Sequence, residues 1–151
     1  MHKLFIYMFL ILSITLMAND KEIHWAKDFK SGMAQAKKEN KPVLFVYSRH
    51  TCKYCVILEK TTFSDKKVIE NVNKDFVSII AYSDDNDAMP RELYRPGTPT
   101  IWFLMPSGQP MYQQDRNFPI MGAVNEEYFM NLLNIVKKDF EKRKSNKKAK
   151  K

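Results

Sequence analysis

Residues 43–47 form an unbroken apolar run rich in β-branched and aromatic side chains, and after four polar residues the chain reads Cys52-Lys53-Tyr54-Cys55. A run of that kind, without polar alternation, suits a strand buried on both faces. Cys55, Leu58 and Glu59 follow at spacings of three and four, which predicts a helix from Cys52 to about Thr62. The cysteine pair is therefore expected where a central strand hands over to a helix. As a structural staple it would do little, because a bridge across two residues closes a tiny loop and removes little entropy from the unfolded chain. Zinc would need two more ligands, and beyond the first residues only His24 and His50 are on offer. Covalent haem attachment needs a histidine after the second cysteine, where this chain has Val56. Redox chemistry without metal or cofactor is the expectation that remains.

The other elements follow from periodicity. Trp25, Phe29, Met33 and Ala36 share one face of a helix expected over residues 24–39 and ended by Asn40-Lys41-Pro42. Ser64 is expected to cap a second short helix that turns Val68, Ile69 and Val72 inward. Residues 76–82 read as another buried strand, and residues 84–87 as an acidic turn leading to a short helix through Leu93. A third strand is expected over residues 100–105, a hairpin turn at 106–109 and an edge strand at 111–114. Asn125 caps a last helix whose buried stripe is Phe129, Leu132, Leu133 and Val136, with fraying expected beyond Phe140. Gly122 permits a tight approach to that helix, and Arg116 to Pro119 reads only as a loop. After the first helix the order is β-α-β-α-β-β-α, an α/β fold with a central mixed β-sheet flanked by helices.

Charge and hydropathy divide the chain into three. The net charge is +8 over 151 residues, but residues 137–151 carry nine basic and two acidic side chains, and residues 19–136 balance at fifteen of each. A neutral body of this kind is not a nucleic-acid-binding domain. Residues 142–151 are expected to form a basic flexible tail, solvated or in weak contact with anionic surfaces. Residues 1–18 place His2 and Lys3 before an apolar run that is short for a bilayer span and ends at Ala18. That is the layout of a secretory signal peptide, with an uncleaved N-terminal anchor as the alternative. Residues 19–141 are then one domain, expected in the periplasm or otherwise exported.

With the strand, the Cys52-Lys53-Tyr54-Cys55 motif and the later Gly97-Thr98-Pro99-Thr100 in view, the chain resembles the thioredoxin superfamily from about Trp25 to Val136. It is most similar to exported single-domain members and to the C-terminal domain of the disulfide reductase DsbD. Lys41-Pro42-Val43, Glu59, Thr62-Phe63-Ser64-Asp65 and the Gly108 turn belong to the same likeness. The resemblance implies a thioredoxin-like fold, a redox disulfide between Cys52 and Cys55, and a cis peptide between Thr98 and Pro99 facing the sulfurs. It also implies substrate contacts through Lys53, Tyr54, Thr98 and Pro99.

Thiol chemistry assigns the roles. Cys52 lies at a helix N-terminus, with Arg49, His50 and Lys53 adding positive charge nearby, so it is the expected nucleophile and Cys55 the resolving thiol. The chain departs from the family at Thr51, where tryptophan is usual, and at Val46, where reductases carry a buried acid. Glu59, one turn beyond Cys55, is the expected substitute, and the DsbD domain has a matching glutamate. The implied activity is protein-thiol:disulfide exchange as a reductant. Isomerase or oxidase activity is an alternative, and so is a non-catalytic binding or chaperone module. The expected partners are protein thiol or disulfide substrates and a redox partner protein, with the chain a monomer that binds no nucleic acid.

Overall fold

The structure, a computed structural model, describes residues 21–111 and 119–149. The N-terminal apolar segment, the end of the expected edge strand at 112–114 and the loop residues 116–118 lie outside the described residues. The elements in chain order are α1 (Phe29–Glu39), β1 (Val43–Ser48), α2 (Lys53–Lys60), a 3₁₀ turn (Thr62–Ser64), α3 (Lys66–Asp75) and β2 (Val77–Tyr82). A second 3₁₀ turn (Arg91–Leu93), β3 (Thr100–Leu104), β4 (Ile120–Met121) and α4 (Glu126–Ala149) complete the fold. The sheet order is β2-β1-β3-β4, with β1 parallel to β2 and antiparallel to β3. It is a thioredoxin-like fold: a mixed sheet with helices on both faces.

Strand pleating sorts the apolar run of β1 to two cores. Leu44 and Val46 face one side, where Leu58 of α2, Val68, Ile69 and Val72 of α3, and Phe129, Leu132, Leu133 and Val136 of α4 pack. Val43 and Phe45 face the other, with Ile79, Trp102 and Leu104 under Met33 and Ala36 of α1. The central strand is thus buried on both faces, as its composition implied.

Several boundaries differ from expectation, each for a local reason. The first helix starts at Phe29 rather than near His24. Asp28 and Ser31 form a reciprocal capping box there, while Trp25 makes a parallel bridge to Ser78 on the outer side of β2. Asp65, not Ser64, caps α3 by accepting from Val68 N–H at 3.0 Å. The Ser64 hydroxyl turns back instead and donates to the Glu59 carbonyl at 2.7 Å, closing the end of α2. The helix expected before Leu93 is one 3₁₀ turn. The hairpin turn after β3 is present, with Gly108 N–H donating to the Met105 carbonyl, and Met111 N–H donates to the Phe103 carbonyl. A two-residue strand, β4, also pairs with Thr100 and Ile101, and it was not foreseen.

The last helix does not stop near Phe140 but continues to Ala149. Arg143 pairs with Asp139 and Lys144 with Glu141 on its surface, at spacings that support a helix without apolar partners. No described helix is long and apolar enough to cross a membrane.

Candidate active site around Cys52 and Cys55

β1 ends at Ser48, and the short link to α2 makes Cys52 the N-cap of that helix. A cap residue faces unpaired backbone N–H groups, and here the Cys52 sulfur accepts from Cys55 N–H at 3.3 Å. Both cysteines are free thiols, Cys52 half-buried and Cys55 completely buried one turn inward. Cys52 Sγ also donates to the Thr98 carbonyl at 3.3 Å. That bond joins the two halves of the expected site, 46 residues apart in sequence, and the Thr98–Pro99 peptide bond is cis.

The two sulfurs differ electrostatically. Burial pushes the Cys52 thiol up, but the side chains of Cys55 and Thr98 and the N–H groups of Cys55 and Tyr54 outweigh it, leaving Cys52 below the ordinary cysteine value. Burial is also the largest influence on Cys55, and with the neighbouring Cys52 it holds that thiol above the ordinary value. The division into an accessible nucleophile and a buried resolving thiol therefore has a physical basis. The cations credited from sequence are not its leading cause. His50 is paired with Asp85 at 2.9 Å, and what offsets burial at Cys52 is hydrogen bonding.

The remaining nominated residues are spread around the pair. Lys53 and Tyr54 are exposed at the start of α2, Thr98 is half-buried, and Pro99 is buried with its carbonyl accepting from Gly122 N–H at 2.9 Å. Glu59 is half-buried on α2, and its Oε1 accepts from the Ser48 hydroxyl at 2.9 Å. Tyr82 lies beside Ser48 in the register of β1 and β2, near the Glu59 carboxylate. Its phenol is pushed up to about 12 by burial first and by the Glu59 charge second. Ser48 escaped the sequence reading, although a signal was available. Residues 46 and 48 share one face of the strand, so the polar group missing at Val46 has moved two positions along the same face.

Outside the cysteine pair, the described residues that could offer ligands to a cation are His50, Asp84 and Asp85. All three are exposed. His50 Nε2 already bonds Asp85, and Asp84 accepts from His50 N–H at 3.0 Å, so the group is satisfied as an ion-paired turn.

Residues 13–151 match the family Thioredox_DsbH, described as a protein of unknown function, DUF255. The chain belongs to that family. Among relatives of the Thioredox_DsbH chain, anterior gradient protein 3 of Mus musculus is 27% identical over 88 residues, 57% of this chain and 52% of that protein. The match thus spans about half the relative's length. Among solved structures, a thioredoxin from Thermus thermophilus superposes with a TM-score of 0.61 at 22% identity, over 76% of this chain and 87% of the other. The oxidised C-terminal domain of Neisseria meningitidis DsbD gives 0.56 at 21% identity, over 71% and 91%. At such identities the likeness shows the fold, and that fold is the thioredoxin one. Within it, this Thioredox_DsbH chain has a Cys-x-x-Cys pair placed and polarised for thiol–disulfide exchange.

Proposed function

We propose that the protein is an exported thiol:disulfide oxidoreductase that reduces disulfides of envelope proteins through Cys52 and Cys55. The observation that carries this reading is the asymmetry of the pair: an accessible sulfur with a lowered pKa on the tip of α2, one turn from a buried sulfur with a raised one. The Cys52 thiolate attacks one sulfur of a substrate disulfide, whose other sulfur leaves as a thiolate and takes a proton. Cys55 then attacks Cys52, releasing the second substrate thiol and leaving the Cys52–Cys55 disulfide. The substrate has gained two electrons, so a partner protein must reduce the pair again. Lys53 and Tyr54 between the cysteines, with Thr98 before the cis proline, favour reduction over oxidation by resemblance. The apolar run at residues 4–17 supports export.

Replacing Cys55 with Ser is expected to trap mixed disulfides through Cys52. Trapping through Cys55 in a Cys52→Ser chain would reverse the roles, and no trapping in either chain removes the activity. Equilibration with glutathione decides direction: a potential near about −120 mV, that of the strongest oxidants, overturns the reductive reading.

A further inference from the structure

Burial keeps Cys55 a thiol, yet the second half of the exchange needs it as a thiolate. Val46 supplies no base, and Glu59 reaches the region through another side chain. Ser48 ends β1 fully buried, its hydroxyl donating to Glu59 Oε1 at 2.9 Å, and it stands close enough to Cys55, one turn before Glu59 on α2, to pull that thiol's pKa down against the effect of burial. A hydroxyl carries one proton and can accept two hydrogen bonds, so Ser48 can donate to only one of these neighbours at a time. While Cys55 is a thiol, S–H can donate to Ser48 and Ser48 to the Glu59 carboxylate. Once Cys55 is a thiolate and Glu59 is protonated, both bonds reverse. The two arrangements differ by one proton moved from sulfur to carboxylate.

We propose that Ser48 is the relay through which Cys55 is deprotonated, its Oγ taking the thiol proton as its own proton passes to Glu59 Oε1. The inference rests on the disulfide-exchange reading above. The step breaks the Cys55 S–H bond, forms an O–H bond on Glu59 and leaves serine and the net charge of the site unchanged. Cys55 then attacks Cys52 Sγ, the Cys52–substrate S–S bond breaks, and its electron pair leaves on the substrate sulfur, which takes a proton from water. Glu59 is half-exposed and returns its proton to solvent. The other titratable groups around this cluster are Cys52 at the N-cap of α2 and Tyr82 from β2, with His50, Asp84 and Asp85 in the flanking turns.

Single-turnover reduction of a fluorescent peptide disulfide by the full chain separates the two steps, because attack by Cys52 frees one peptide and resolution by Cys55 frees the other. Ser48→Ala is expected to leave the first phase unchanged and to slow the second by about 10²-fold near neutral pH. The deficit should shrink as pH rises and Cys55 ionises unaided. Ser48→Thr, which keeps the hydroxyl, should restore most of the rate, and Ser48→Ala combined with Glu59→Gln should be no slower than the worse single variant. A Ser48→Ala chain with the parent's second phase and pH profile, equal slowing of both phases, or no rescue by threonine overturns the relay. Ultraviolet titration of the Cys55 thiolate in a Cys52→Ser chain provides a readout without turnover. Ser48→Ala should move its midpoint upward, and an unmoved midpoint is a second refutation. Should the parent release no peptide at all, the exchange reading fails, while this titration still decides the role of Ser48.

Discussion

His50 stands two residues ahead of Cys52, but its charge is engaged with the acidic turn after β2. The ring lies flat on Tyr82, with centroids 3.8 Å apart and 14° between the planes, and Nε2 is 2.9 Å from Asp85. The hydrogen bond to Asp85 raises the imidazole pKa, against a smaller opposing effect of burial. NMR titration should therefore place the His50 midpoint above the ordinary value of about 6.5, and Asp85→Asn should bring it back down. A midpoint unaffected by that substitution refutes the pairing. Because the folded-state value is raised, the contact stabilises the fold fully below the ordinary histidine range. Its contribution fades as pH climbs through the raised value, and exposure to water keeps it small. At this scale, legibility depends on sequence distance. Cys52, Cys55 and Glu59 could be read because a short helical spacing links them. Ser48 could be found only by combining the phase of a strand with the face of a helix 11 residues away, and the pairing of His50 depends on a residue 35 positions on.

Elements were legible where one physical cause dominates. The three long strands declare themselves as continuous apolar runs, and the stripe of α4 by its period. Helix ends were harder, because adjacent polar residues compete for the same cap. Ser64 and Asp65 both suit a cap by type, and only the fold shows the serine serving the preceding helix. α1 offers a sharper test. A Cβ on Gly32 would come within 2.5 Å of Ile79 Cγ1 and 2.6 Å of its Cδ1, and Ile79 is fully buried. Alanine would gain about 1 kcal/mol in helix propensity, whereas overpacking a filled core costs about 1–3 kcal/mol. Gly32→Ala is therefore expected to lower the denaturant midpoint. A stabilised variant would mean that α1 does not pack this closely on β2.

Across the whole molecule, the sheet separates two cores that contribute differently to the site. α2, which is capped by Cys52 and carries Cys55 and Glu59, rests on the side built from Phe63, Phe103 and Phe129, whose rings pack at 5.5 and 6.2 Å. Phe129→Ala is expected to cost about 3–5 kcal/mol in equilibrium unfolding, since it empties a fully buried position at the meeting of three elements. A loss below about 1 kcal/mol would show that α4 is not integral to this core. The overall α/β arrangement could be read from the order of elements. The closing contribution of β4 could not, because two residues carry no periodic signal.

The single bridge from Trp25 to Ser78, with Ala26 N–H donating to the Ser78 carbonyl at 2.8 Å, lies along the outermost strand. It acts as a selvedge. A backbone group at the edge of the sheet that would otherwise be open to pairing with another molecule is held by the chain's own residues, so loosening them would expose that edge to a second chain.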